Sequence, residues 1–269
     1  MYILLTATRT MTSLLFLFYA SWSDHKTREV SNTVWIVSAP VAFTLTFFDI
    51  YMSEPSTLFS FGISFGLTAA FSIILFYAGG FGGADAKALM CLALALPFFP
   101  TNLITPISGG DSVILKTLFP ITVFSNAVLF AAATAIYMLF RNVYWHLKTG
   151  NHLFEGGQEK ESLGKKILVL LTGYKMPIDK VKKKWHLYPL EDIVEESEQK
   201  PRRKLIIIPS DENRNAVIER LEKAIRSGSI EDRILATPGL PMLIFVTAGL
   251  VTALIFGDIV WICVRLILG

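Results

Sequence analysis

Charge is scarce in this chain. Only 17% of its 269 residues are Asp, Glu, Lys or Arg, against roughly 25% in an average soluble domain. The two signs nearly cancel, 25 basic against 22 acidic residues, for a net charge of +3. That excess is too small to argue for a nucleic-acid partner. Cysteine is nearly absent too: Cys91 and Cys263 both sit in apolar stretches, so neither a disulfide framework nor a zinc-ligand spacing exists. The four histidines are scattered and form no metal-binding pair. What is abundant is apolar: 52% of residues are hydrophobic and 12% aromatic. This excludes disorder, a coiled coil and a small secreted scaffold, and points to an integral membrane protein with at least one wet segment.

A membrane-spanning helix needs about 20 mostly apolar residues. Six stretches qualify as expected spans: 3–22, 33–48, 57–78, 86–105, 117–140 and 238–257. The first contains Arg9, so it is expected to be short or to let Arg9 snorkel outward. Pro97 and Pro100 fall late in the fourth. In the sixth, apolar character continues past Asp258. A cleavable signal peptide over residues 1–20 is the weaker reading of the first stretch. Loop charges set the orientation. Lys26 and Arg28 lie in 23–32, Lys87 in 79–87, and 49–56 holds no base; residues 141–236 hold 19 of the 25 bases. Loops one, three and five are therefore expected in the cytoplasm, with both termini outside.

Residues 141–236 carry 19 basic and 15 acidic residues, too many to cross a bilayer. Lys204–Pro209 reads as a short buried strand. A helix follows, capped by Ser210 or Asp211 and stopped at Gly228, with Val217, Leu221, Ala224 and Ile225 as its apolar face. Stretches 165–171 and 184–188 are further strand candidates. Lys180–Lys184 holds four lysines in five positions, which suits a solvated loop near anionic headgroups or a substrate-docking patch. The expected architecture is thus an all-α polytopic membrane protein of six transmembrane helices. Residues 1–140 carry helices one to five, 141–236 form a small α+β cytoplasmic domain inserted between helices five and six, and 237–269 carry the last.

Two acids stand out at span ends. Asp24 lies where the first span exits, and Asp85 where the fourth enters, on the same membrane face. Ionisable residues at membrane depth are costly and are candidates for function by default; a helix cap is the plainer role for Asp85. Asp85 follows a turn with four glycines in five positions, Gly79, Gly80, Gly82 and Gly83. Such a backbone turns sharply and lets another chain approach, and irregular backbone at membrane depth must adjoin protein or water. Two carboxylates sharing a site work as a general acid–base pair, because repulsion keeps one protonated while the other is ionised. The ionised one activates water and the protonated one donates to a peptide carbonyl. This chemistry needs no metal and no cofactor. His25, beside Asp24, reads as a loop residue, because no Ser-His or metal constellation accompanies it.

The pattern Asp24, Lys26, Arg28, Val30 and Asn32, followed by Gly82, Gly83, Ala84, Asp85 and Lys87, resembles the type IV prepilin peptidases, membrane aspartic proteases of the GxGD class. It is closer to their archaeal branch, the preflagellin (prearchaellin) peptidases, and lacks the extra cysteine pairs of the bacterial enzymes that also methylate their product. Ala84 stands where the strict motif has glycine. The resemblance covers roughly residues 20–90. It implies an enzyme of the archaeal cell membrane that cuts a short basic leader from preflagellin or type IV pilin-like proteins on the cytoplasmic side. Asp24 and Asp85 would be the catalytic pair, and Lys26, Arg28, Asn32, Gly82, Gly83 and Lys87 would support it. Membrane lipids and the protein substrate are the expected partners, with no metal.

Three other readings compete. A presenilin-type protease wants more spans and a Pro-Ala-Leu triplet. A proton- or ion-coupled transporter predicts inverted repeats and acids near mid-span, whereas Asp24 and Asp85 sit at span ends. A metal-dependent lipid-phosphate enzyme wants clustered carboxylates on a membrane helix; Glu191, Asp192, Glu195 and Glu196 cluster, but in the wet segment.

Overall fold

The computed structural model of the protein describes residues 2–79, 81–107, 112–194, 202–207 and 211–268. Its contacts divide it into two compact units, Met1–Ala131 with Pro241–Gly269, and Ala132–Leu240.

In the first unit, α1 (Tyr2–Thr27), α2 (Asn32–Ser53) and α3 (Leu58–Tyr77) precede a shorter α4 (Gly83–Ala95). A one-turn α5 (Val113–Thr117) leads into α6 (Phe119–Thr149), which runs on into the second unit. Several polar side chains within these apolar helices are satisfied locally. Thr10 donates to the Thr6 carbonyl, Ser13 to that of Arg9, and Ser72 to that of Thr68, each one turn back, which spares those hydroxyls the cost of lying bare in an apolar bundle; the buried Thr68 and Thr122 hydroxyls have no hydrogen-bond partner among the described residues. α1 packs on α2, α4 and α10 (Met242–Phe256), and α4 also packs on α2 and α3. Gly249 lets α10 approach α6 closely: a Cβ there would lie 2.4 Å from the Val123 carbonyl oxygen. After α10 the chain bends by 61° into α11 (Ile259–Leu268). The break is held by Asn126, which donates to the Gly257 carbonyl and accepts from the Ile259 N–H, and by buried Asp258, which accepts from Ser112 Oγ and the Trp261 N–H.

The chain is mostly helical, and among the described residues four helices are long and apolar enough to cross a membrane, or five if α10 and α11 form one broken span. The expected fourth span is the exception. α4 has 13 residues, about 20 Å at 1.5 Å per residue, short of the roughly 30 Å hydrocarbon thickness. It stops at Leu96 (φ −133°, ψ 70°) because Pro97 disfavours helical backbone at the residue before it. The carbonyls freed by this early stop are taken up by side chains. Ala95 O accepts from Arg9 Nε and Thr46 Oγ1, both at 2.9 Å, and Pro97 O accepts from Ser64 Oγ at 3.0 Å.

Arg9 therefore departs from its sequence expectation. It neither snorkels nor shortens the span: it points inward, is buried, and pairs through Nη1 with the buried Asp49 carboxylate. Asp49 was expected in a loop, but α2 continues past it to Ser53.

The second unit has an antiparallel three-stranded sheet in the order β1 (Tyr174–Met176), β5 (Ile234–Pro238), β2 (Leu187–Pro189), and a two-stranded ribbon of β3 (Glu191–Val194) with β4 (Arg202–Leu205). Its helices are α7 (Leu163–Thr172), α8 (Ile178–Lys183) and α9 (Asp211–Arg226). α9 is the helix expected before Gly228; Val217, Leu221 and Ala224 are buried on its inner face, together with Ile218. Asp211 begins it, and Ser210 lies outside the described residues. The expected strand 204–209 falls two residues earlier, as β4, and residues 208–209 lie outside the described residues. Stretch 165–171 is helical rather than extended, because Ser162 caps it by accepting from the Lys165 N–H and its straight-chain residues tolerate a helix. Of 184–188, only the last two residues enter β2. Inside the unit, Arg203 pairs with fully buried Glu191 at 2.6 Å and with Glu155 at 3.3 Å. Burial pushes the Glu191 carboxyl up, while Arg203 and Gln158 oppose that push.

Removing one partner of a buried ion pair strands the other, at a cost of about 3–5 kcal/mol. Asp49→Asn should therefore lower the detergent-solubilised protein's stability by that order. The double variant Arg9→Met with Asp49→Leu should lose less than Asp49→Asn alone. Thermal unfolding followed by circular dichroism checks both.

Candidate active site

Asp24 sits in the last turn of α1, half-buried. Two features fix that turn against α10. Ser21, three residues earlier, donates to the Leu243 carbonyl at 2.8 Å and shares a 2.6 Å hydrogen bond with Thr247 Oγ1. The Leu243 backbone N–H, in the first turn of α10, lies near the Asp24 carboxylate and acts on its charge. Unpaired N–H groups and the helix dipole make such an N-terminus a natural seat for negative charge.

After α1 the chain reverses tightly. Arg28 adopts the left-handed conformation (φ 59°) and its N–H bonds to the Asp24 carbonyl at 2.9 Å, closing the helix as glycine usually does. Ser23 and Thr27 hydroxyls both donate to the Glu29 carbonyl, at 2.8 and 3.0 Å. A β-carbon residue in this conformation stores about 1 kcal/mol or more of strain, so the loop is held by these bonds. The charges of Arg28 and His25 both act on Asp24.

Asp85 is the third residue of α4. Its Oδ2 accepts from the Gly82 N–H at 3.0 Å, the reach-back half of a capping box. The plain capping role is thus real, and among the described residues it engages only Oδ2. Gly82 matters here for space: a Cβ on it would lie 3.1 Å from Oδ2. Gly79, at φ 75°, supplies the left-handed residue that ends α3. Gly80 lies outside the described residues. Gly83 is ordinary, with Phe76 at 3.6 Å from a would-be Cβ. Phe81 is buried and packs edge-on against Phe124 at 5.4 Å, anchoring the glycine turn to α6.

The fold brings the two acids together from separate helices: the Asp24 charge acts on Asp85. Among the described residues no hydrogen bond joins the two carboxylates. Two of the other motif residues also meet. Lys87 Nζ donates to Asn32 Oδ1 at 2.7 Å, tying the start of α2 to the first turns of α4. Lys26 is turned elsewhere, with Nζ 4.9 Å from the centre of the Trp22 ring. Among the described residues no group of three His, Cys, Asp or Glu side chains is placed to hold a metal ion. Of the wet-segment acids, Asp192 is bound by Arg220 and Glu191 by Arg203, while Glu195 and Glu196 lie outside the described residues.

Sequence reasoning missed two participants. One is the Leu243 N–H, from a helix more than 200 positions along the chain from Asp24, for which no local signal exists. The other is the Arg9–Asp49 pair, for which there was a signal: two opposite charges embedded in otherwise apolar helices.

The fold and site define a polytopic membrane protein that gathers two carboxylates from different helices beside the N-terminus of a third. Residues 11–141, which include both acids, match the type IV leader peptidase family, and residues 165–259 match the archaeal peptidase A24 C-terminus, type II. The chain belongs to the type IV leader peptidase family and is an integral membrane peptidase. Similar proteins include the preflagellin peptidase of Methanococcus maripaludis, 24% identical over 249 residues that cover 91% of this chain and 93% of that one. The preflagellin peptidase of Methanococcus voltae is 32% identical over 133 residues, 48% of this chain and 56% of that one. That of Methanocaldococcus jannaschii is 29% identical over 174 residues, 64% and 68% respectively.

The Lys87–Asn32 contact is open to a double-mutant cycle. Asn32→Ala and Lys87→Ala, singly and together, should show a coupling of about 0.5–1.5 kcal/mol in unfolding free energy, the usual range for one hydrogen bond. Strict additivity would mean that the two side chains do not meet.

Proposed function

We propose that Asp24 and Asp85 are the catalytic pair of an aspartic endopeptidase that removes the short leader from preflagellin or type IV pilin-like proteins. The observation that carries this reading is the pairing itself: two acids 61 positions apart in sequence, on different helices, close enough to interact electrostatically. One carboxylate takes a proton from a water molecule as its oxygen attacks the scissile carbonyl carbon. The other, protonated, donates to the carbonyl oxygen. The tetrahedral diol then collapses, and the proton gained in the first step passes to the departing amine. The Leu243 N–H and the first turn of α10 steady the charge on Asp24. The Asn32–Lys87 bridge and the strained turn at Arg28 hold the two acid-bearing segments in register, so these residues act as positioning groups.

The active site faces the cytoplasm in this reading, because Lys26, Arg28 and Lys87 all lie within four residues of one of the two acids in sequence. Residues 1–140 then carry five membrane helices with α4 as a short embedded one, 141–236 form the cytoplasmic insertion, and 237–269 complete the bundle. Names of the curated relatives support preflagellin as the substrate class. A place for the substrate's hydrophobic helix is available in an apolar groove between α1 and α2, lined by Leu15, Phe16, Tyr19, Val34 and Val37. Ser31 and Thr33 also line it, and they flank Asn32 of the bridge to α4.

Asp24→Asn and Asp85→Asn should each reduce leader cleavage of a purified preflagellin by at least about a thousandfold while leaving membrane insertion intact, and a chelator should have no effect. Activity surviving in either variant, or lost with chelator, would overturn the two-aspartate assignment. Filling the groove with Val37→Trp should raise KM by about tenfold with kcat nearly kept, as expected for lost ground-state binding; an unchanged KM would remove the groove from the substrate path.

A further inference from the structure

The α7 helix is built the wrong way round for a solvated domain. Its inner side places Val169 against Leu190, Leu205 and Leu235, and Leu170 is buried as well, as in any domain helix. Its outer side is also apolar. At 100° per residue, Leu163, Ile167, Leu168 and Leu171 fall on one arc, with Gly164 between them. Leu163 is 76% exposed, Ile167 51% and Leu168 45%. Three large apolar side chains on one exposed arc form a patch that calls for a partner.

The attachment of α7 identifies that partner. Asn142 of α6 is buried and donates to the Leu170 carbonyl at 2.9 Å and to the Gly173 carbonyl at 2.7 Å, pinning the C-terminal end of α7 to α6. Asn142 lies where the uncharged run of α6 ends, one residue after Arg141. Around it stand the side chains that mark a membrane–water boundary. Tyr144 and Trp145 are engaged by Lys148 and Lys175, and Arg141 lies 3.6 Å from the Tyr174 ring centre. On the other side of α6, Ile136, Phe140, Val143 and Leu147 are exposed apolar residues that continue its lipid-facing surface. Asn142 thus holds the C-terminal end of α7 beside the point where the uncharged run of α6 ends. At 10 residues, about 15 Å long, it is too short to span. Lys165 and Lys166 flank the arc, held by Glu161 and by the Glu159 carbonyl, at the positions where bases meet headgroups on an interfacial helix.

We propose that α7 is an interfacial membrane helix: Leu163, Ile167 and Leu168 insert into the bilayer surface and hold the inserted domain flat against it. The partner is lipid, not a second protein.

The test uses the full chain in lipid nanodiscs. Cys91 and Cys263 are replaced by alanine, and Leu163→Cys, Ile167→Cys or Leu168→Cys carries a nitroxide label; Glu219→Cys, on the exposed face of α9, serves as the water reference. The ratio of collision with oxygen, which concentrates in lipid, to collision with a water-soluble nickel chelate should be about fivefold or more higher at the three α7 sites than at 219, as for an inserted apolar face. A ratio equal to that at 219 places the helix in water and overturns the proposal. Protection from both reagents means that protein covers the face, and overturns it equally. If the cysteine-free background does not fold, the unmodified protein answers the same question. A phospholipid with a diazirine near the head of its acyl chain should label the peptide containing residues 163–171; labelling confined to the spans would overturn the proposal.

Discussion

The membrane unit depends on the way α4 ends. A helix that stops at Leu96 leaves carbonyl oxygens with no partner in its own backbone, and in an apolar bundle each such group is costly. Arg9 and Thr46 bind the Ala95 carbonyl, and Asp49 neutralises Arg9. The pair thus does three things together: it caps a helix end, satisfies a buried charge, and ties α1, α2 and α4 at one point. A cation suits the negative end of a helix dipole. Once that end is held, the other end of the same short helix, where Asp85 sits, is constrained as well.

From that anchor the placement of the two acids follows by lever action along rigid helices. α1 carries Arg9 near one end and Asp24 near the other. α4 carries Ala95 at its last residue and Asp85 at its third. Because the two helices are joined at Arg9–Ala95, the acids are left facing the same region at the opposite ends. The Asn32–Lys87 bond closes the frame at the acid end, and Leu243 adds an N–H from α10. The special backbone is found at the two turns that need it, the left-handed Arg28 after α1 and the left-handed Gly79 after α3.

Much of this was legible in the chain. The apolar runs were readable because lipid exposure leaves a long uncharged signature, and α1, α2, α3 and α6 lie where those runs are. The acids were readable because charge is rare enough there for each carboxylate to demand a reason. The fourth run was misjudged in length, because Pro97 ends a helix that hydropathy alone would continue. Stretch 165–171 was misjudged in type: five apolar residues after two lysines fit a buried strand or a helix equally well, and the Ser162 cap decided it. Arg9 was misread because its partner lay on another helix, 40 positions away.

The amino-acid sequence by itself determined the solvent each segment prefers, the places where the backbone must turn, and the presence of two acids at span ends beside glycine and basic residues. Those are local properties, set by hydrophobicity, by backbone freedom and by the cost of a charge in lipid. Only the tertiary structure decided which charges meet. Arg9 finds Asp49, Lys87 finds Asn32, and Asp24 finds both Asp85 and the Leu243 N–H through helix packing. Pairing across helices depends on distances in space that no spacing along the chain encodes.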